Sequence, residues 1–174
     1  MIQFKLTYDK DEEQDWLNAY CQQGWAMSSF FLGLVTFVRC QPGEYIYQID
    51  LLPGCGLRAD DYEGYAAFME ETGVEVLQRW GRWVYLRKRA EDGPLDIYTD
   101  IGSQIALYRR IQKMFFWVLI VCSSCSLINI CNGIQSGNLV IRSLVAVQVL
   151  ILLAILRAVW QCSWKIQELE RRQQ

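Results

Sequence analysis

The residues most able to do redox chemistry are Cys122-Ser123-Ser124-Cys125, a CxxC inside an otherwise apolar run. On a helix, positions i and i+3 share one face, so two such thiols can form a redox pair. Membrane thiol oxidoreductases that pass electrons to quinone use pairs of this kind. Their usual companion is a second cysteine pair, and here Cys131 and Cys162 lie far apart. Cysteine and serine also serve as small residues at membrane helix contacts, and that packing role is the weightier reading. A zinc site would need four ligands, and no second pair or histidine completes them. The chain has no histidine at all, which removes the commonest general base and the commonest metal ligand. It has no glycine-rich phosphate loop and no GxSxG. The acid pairs Glu12-Glu13, Asp60-Asp61 and Glu70-Glu71 read as solvated helix faces. No catalytic residue, metal or cofactor is therefore assigned.

The second group of interest is aromatic. Tyr45, Tyr47, Trp83 and Tyr85 lie on strand-like segments, with Phe37 on another, and Glu75 nearby in sequence to the last hairpin. Strand alternation puts Trp83, Tyr85 and Arg87 on one side and Val84 and Leu86 on the other, so both sides carry apolar groups. Phe37, Tyr45, Tyr47, Glu75, Trp83 and Tyr85 then form a candidate face for a ligand or partner. Simple core or a dimer face is the blander alternative, and for Glu75 a solvated edge charge.

These residues are positioned by a duplicated unit. Ile2–Thr7 reads as a strand, Asp11–Gln23 as a helix stopped by Gly24, and Ala26–Phe31 and Val35–Cys40 as a hairpin around Gly33. After the Pro42-Gly43 turn the order recurs. Glu44–Leu51 reads as a strand, Pro53–Gly56 as a break, and Asp60–Thr72 as a helix ended by Gly73. Val74–Arg79 and Trp83–Lys88 form a hairpin around Gly81. A shift of 49 carries Gly24 onto Gly73 and Met27 onto Val76. With one residue removed in the hairpin, Val35, Phe37 and Arg39 fall on Trp83, Tyr85 and Arg87. The expected fold class is α+β: strand-helix-strand-strand twice, in a mostly antiparallel sheet with helices on one face.

The remainder is of a different kind. Met114–Ile130 and Leu144–Leu156 contain no charged side chain. At about 1.5 Å per residue the first run is about 25 Å long, near the ~30 Å of a hydrocarbon core. A two-pass transmembrane hairpin is expected over 114–160. The alternative is a buried helical pair in a soluble dimer. The domains expected are 1–95 (α+β, cytoplasmic), 96–113 (an amphipathic linking helix, capped by Thr99 or Asp100), the hairpin, and a charged tail, 161–174.

Charge agrees with this division. Residues 1–100 carry 9 Lys+Arg against 17 Asp+Glu, while residues 101–174 carry 8 against 2. The acidic part makes a poor nucleic-acid surface. The basic residues Arg109, Arg110, Lys113, Arg157, Lys165, Arg171 and Arg172 flank the spans on one side; only Arg142 lies near the connecting loop. The positive-inside rule places both termini in the cytoplasm of a cell-membrane protein. Met1–Trp16 lacks the apolar run of a signal peptide. Cys21, Cys40 and Cys55 then read as reduced thiols.

Several segments resemble a bacterial family of membrane proteins classed as a domain of unknown function. They are Trp16-Leu17 with Gly24-Trp25, Phe37, Pro42–Asp50 (PGEYIYQID), Trp80–Lys88 (WGRWVYLRK) and Ile97–Ile101 (IYTDI). The resemblance covers residues 5–113, with the hairpin as the usual appendage. Genes of that family often lie beside those of PadR-type transcription regulators, which implies a regulatory accessory role. The family supplies no catalytic residues.

Three functions follow from these readings. The first is a non-enzymatic membrane-anchored sensor or interaction protein, with membrane lipid, a protein partner such as a PadR-type regulator, or a second copy as its contacts. The second is a subunit of a membrane transport assembly, contacting through the hairpin, with Arg142 and Gln148 as its polar residues. The third is a thiol-redox protein using Cys122 and Cys125.

Overall fold

The computed structural model describes residues 1–5, 7, 9–52, 59–136 and 139–173. Pro53–Gly56, Cys55 and the Arg142 side chain lie outside what is described. The chain divides into two compact units, Met1–Ile97 and Tyr98–Gln174.

The first unit is α+β, and the duplication is visible strand by strand. Strand β1 (Ile2–Phe4), helix α1 (Lys10–Gln22), β2 (Trp25–Phe31) and β3 (Leu34–Arg39) form the first repeat. Strand β4 (Tyr45–Leu51), helix α2 (Ala59–Glu71), β5 (Glu75–Trp80) and β6 (Trp83–Arg89) form the second. Each repeat makes a three-stranded antiparallel sheet with its last strand in the middle, in the orders β1-β3-β2 and β4-β6-β5. The two sheets replace the single sheet expected. The local causes repeat as well. Gly24 and Gly73 end the two helices at φ 81° and 75°, a left-handed conformation that suits glycine. Asp9 caps α1, its carboxylate accepting from the Asp11 N–H at 2.9 Å.

The register corrects one expectation. Phe30 pairs with Val35 and Phe31 with Leu34; Arg79 pairs with Val84 and Trp80 with Trp83. The shift is therefore 49 throughout both hairpins, with no residue removed. Phe37 corresponds to Leu86, not Tyr85, and Tyr85 corresponds to Thr36. Matching bulges interrupt β2 between Met27 and Ser29 and β5 between Val76 and Gln78. The misalignment has a physical source. The second sheet is apolar on both faces, so an apolar pattern alone matches either one.

α1 and α2 lie on corresponding faces of their sheets. Below α1 are Met27, Phe30, Val35 and Phe37; below α2 are Val76, Val84 and Leu86. The larger core then adds the second face of the other sheet. Leu17 and Cys21 of α1 share one cluster with Tyr47, Ile49 and Tyr85. Two helix side chains also bond the outer edge of β4. Asn18 accepts from the Tyr47 N–H at 2.8 Å and donates to its carbonyl at 3.1 Å, and Gln14 accepts from the Ile49 N–H at 3.3 Å. On the other side, Tyr65 of α2 donates to the buried Asp50 carboxylate at 2.8 Å.

The sheets meet where β2 approaches β5. The Gln78 carboxamide accepts from the Phe30 N–H and donates to the Phe30 carbonyl, both at 2.6 Å. One side chain thus does the work of a ladder pair across the bulged strands.

The second unit is a helical hairpin. α3 (Ile101–Ser136) runs unbroken from the linking segment through the apolar run, and α4 (Leu139–Gln173) returns. Asp100 accepts from the Ser103 N–H at 2.7 Å and caps α3. Less exposed positions recur at alternating spacings of three and four along α4: Val145, Gln148, Leu152, Ile155, Val159, Cys162, Ile166 and Leu169. Along α3 the corresponding line runs from Ile105 and Tyr108 through Phe115, Leu119 and Cys122 to Ser126. This is the seam of an antiparallel coiled coil. Asn129 donates to Gln148 at 3.0 Å, Gln112 to Ser163 at 2.7 Å and Arg109 to Glu170 at 2.8 Å, fixing the register at three levels.

Gln78→Leu keeps side-chain volume but leaves the Phe30 N–H and carbonyl unpaired. We expect a loss of about 2 kcal/mol of stability, read from denaturant unfolding of the full chain in detergent. An unchanged midpoint would mean that the bridge contributes nothing.

Candidate functional site

The six residues of the aromatic face divide into a core group and a rim group. Phe37, Tyr47 and Tyr85 are 2%, 1% and 4% exposed, and Trp83 packs against the same cluster. Phe37 stacks on Tyr20 at 4.8 Å and meets Trp16 edge-on at 5.5 Å. Tyr47 accepts from the Met27 N–H at 2.9 Å, and burial pushes its phenol up to about 12. Tyr85 stacks on Phe30 at 5.0 Å and donates its hydroxyl to Glu13 at 2.8 Å. The rings that would wall a groove are thus covered from within the chain by α1 and the first sheet.

Glu13 is a half-buried acid that nothing in the sequence singles out. In the sequence it reads with Glu12 as a solvated pair, because neighbouring acids at a helix start usually face water. In the structure it points from α1 onto Tyr85. Burial raises its carboxyl above the usual range, against the lowering effects of the Tyr85 hydroxyl and of Lys5. Tyr85 in turn is pushed up by burial and by the adjacent Glu13 charge. The two form one hydrogen-bonded pair that pins α1 to β6.

Tyr45 and Glu75 belong to the rim. Arg87 donates to Glu75 at 2.6 Å and 3.0 Å in a forked pair, and its guanidinium lies 4.6 Å from the Tyr45 ring centre. With Gly73, Lys88, Arg89 and Asp92 they line an open polar cleft of about 340 Å³. Arg87, Lys88 and Arg89 were not singled out from sequence as site residues. The signal was a cross-strand partner for Glu75, and the β5 bulge hid it: a regular hairpin closed by Trp80 and Trp83 would set Glu75 opposite Lys88, whereas the bulge sets it opposite Arg87. Three cations line it with Glu75 and Asp92, and Arg89 pairs with Glu91 at 3.0 Å. The cleft is a charged surface suited to polar contact.

In the second unit, Cys122 lies on the coiled-coil seam and Cys125 is exposed beside it. The hydroxyls between and after them bond within the helix, Ser124 to the Ile120 carbonyl at 3.0 Å and Ser126 to the Cys122 carbonyl at 2.8 Å. Small residues on a seam with self-satisfied hydroxyls are what close helix packing in lipid uses. In the first unit Cys40 neighbours Cys21, and burial with that neighbour pushes its thiol up to about 11, away from the reactive thiolate. Among the described residues no group of three or more His, Cys, Asp or Glu could hold a metal ion.

Both helices of the second unit are long and apolar enough to cross a membrane. Their outward residues are large and apolar: Trp117, Val121, Leu127, Leu150 and Leu153 among others are more than half exposed. Trp117, Trp160 and Trp164 stand near one level of the hairpin, set by the Gln112–Ser163 pair.

A model of a protein family described as a protein of unknown function, DUF2812, matches residues 9–120. No curated protein matches, and no solved structure does.

The Glu13 environment has a pH consequence. Its pKa in the fold is raised above the ordinary 4.5, so folding favours the protonated acid. That stabilisation is complete below about pH 4.5 and is lost as the pH rises through the folded value. Glu13→Gln stays neutral and can still accept from Tyr85. Its melting temperature should exceed the parent's at pH 7, and the gap should shrink toward pH 4.5. A gap that widens on acidification would show that Glu13 is held as a favourable charge instead.

Proposed function

The chain belongs to the DUF2812 family of proteins of unknown function, and we propose that it is a non-enzymatic, membrane-anchored interaction protein. The observation that carries this is the exterior of the hairpin. The seam consumes one stripe of each helix, and the rest of Met114–Ile130 and of Ser143–Leu156 turns large apolar side chains outward. Hydrocarbon is the solvent such a surface suits. The basic residues Arg109, Arg110, Lys113, Lys165, Arg171 and Arg172 gather at the end that carries the first unit's connection and the C-terminus. That asymmetry favours cytoplasmic termini and an outward loop.

The proposed role of the first unit is contact with a protein. The rings of the candidate aromatic face are used in packing, and the open cleft beside them is polar, which favours recognition of a polar surface there over capture of a small apolar ligand. The resemblance of its PGEYIYQID and WGRWVYLRK segments to a bacterial membrane-protein family suggests a PadR-type transcription regulator as that partner, on gene neighbourhood alone. A second reading, a subunit of a transport assembly, draws on the Asn129–Gln148 pair. Amides inside an apolar span are the usual means by which such helices hold neighbours.

Topology is tested with an impermeant maleimide on intact cells. Cys131, exposed near the loop, should be labelled, while Cys21 and Cys40 should react only after permeabilisation and unfolding. Labelling of Cys40 in intact, folded protein with Cys131 protected would invert the orientation.

The partner is tested by affinity purification of the tagged full-length chain from crosslinked native membranes. Recovery of a transcription regulator, lost on charge reversal of the cleft by Arg87→Glu with Lys88→Glu, supports the interaction reading. Recovery of transporter subunits, retained in that variant and lost in Asn129→Leu, supports the second reading. Recovery of the chain alone overturns both.

A further inference from the structure

The two sheets use their second faces differently. On the second sheet that face carries Tyr47, Ile49 and Tyr85, and α1 lies against it through Leu17 and Cys21. By strand pairing, Ile2 and Phe4 occupy the places of Ile49 and Leu51. By the 49-residue shift, Phe31, Leu34, Thr36 and Val38 occupy those of Trp80, Trp83, Tyr85 and Arg87. These six residues are one surface: Phe4, Leu34 and Phe31 form a row across the three strands, with Ile2 and Thr36 in the next. No charged residue falls on it. Ile2 and Phe4 are each 66% exposed and Phe31 is 65% exposed. A contiguous apolar sheet face of this kind marks an interaction site.

The geometry points to a helix-binding face: the outer face of the first sheet takes an amphipathic helix of a partner protein, seated as α1 is seated on the second sheet. The chemistry of that helix follows from α1. It presents apolar residues four apart, as Leu17 and Cys21 are. It also carries a carboxamide three residues before the first of these, as Gln14 stands before Leu17, to bond the outer edge of β1. There the Ile2 amide holds the place of the Ile49 amide, which Gln14 bonds in β4. A second copy of this chain offers a poorer fit. Its α1 is engaged in its own core, and α2 has Ala66 and Glu70 at the positions of Leu17 and Cys21. The inference rests on the interaction reading above and adds to the polar cleft a second, apolar contact surface for a partner.

The test is photocrosslinking of the full chain in native membranes. p-Benzoylphenylalanine replaces Phe31 or Phe4, one at a time, with Phe68 on the exposed side of α2 as the control site. After irradiation the adducts are mapped by mass spectrometry. Both sheet positions should crosslink to one segment of one partner, with apolar residues at helical spacing and an Asn or Gln three residues before the first of them. Leu34→Asp with Val38→Asp should cut that adduct about tenfold or more, as loss of a central interface residue does, with the melting curve unchanged. Adducts to a second copy, to lipid, to an extended partner segment or to nothing each overturn the inference. A partner recovered only through the Phe68 site would overturn this face while leaving the interaction reading intact.

Discussion

The first unit depends on how Gln78 meets Phe30. β2 and β5 come together where each is bulged, so their backbones cannot continue a ladder. A buried peptide group left without a partner costs about 1–3 kcal/mol. The Gln78 carboxamide resolves this by taking both the N–H and the carbonyl of Phe30. Phe30 is thereby held against Tyr85 and Trp80, at 5.0 Å and 5.7 Å between ring centres. With the two sheets fixed to each other, α1 is left one place to lie, over Met27 and Phe37 on one side and Tyr47 and Ile49 on the other. The same device recurs at the β4 edge, where Asn18 and Gln14 stand in for a missing strand. Side-chain amides, more than strand pairing, join the repeats.

This explains what was legible in the sequence and what was not. The elements and their duplicated order are carried by short-range signals: glycines after helices, alternating strands, turn residues. Gly24 and Gly73 were sound markers because a left-handed helix end is a local requirement. The register is set by long-range packing. Tyr85 and Trp83 look like the counterparts of Phe37 and Val35 because all four are apolar, yet they face opposite ways relative to their own helices. Only the bulges and the burial of the second face against α1 decide between the alternatives. Glu13 was hidden for a related reason. Nothing local distinguishes it from Glu12, and its partner Tyr85 is 72 residues away.

The candidate site shows the same limit. Phe37, Tyr45, Tyr47, Glu75, Trp83 and Tyr85 were grouped because strands alternate, and all but Glu75 do lie in or against the larger core. Alternation says that a face is apolar; it does not say whether water, a ligand or the chain's own helix covers it. The cleft at the rim was unreadable because its defining pair, Glu75 with Arg87, exists through a one-residue irregularity. The apolar face left open is on the other sheet, where Ile2, Phe4 and Leu34 look in sequence like residues of ordinary strands.

The hairpin was more legible because hydrocarbon imposes a one-dimensional rule: enough uncharged residues in a row. What the rule leaves out is how the two helices recognise each other. Lipid tails are as apolar as leucine, so burying apolar surface gives no preference for one helix face over another. Direction and register must come from something lipid cannot offer. Three features supply it here. Cys122 and Ser126 on the seam admit close approach. The Asn129–Gln148 and Gln112–Ser163 bonds set the pairing within and just outside the apolar run. The heptad continues through Tyr108, Ile166 and Leu169, past the basic residues, where in a membrane protein apolar burial would again favour association. In a membrane, such a seam would be held by amides within the hydrocarbon and by packing beyond it, so that neither medium alone would determine the hairpin.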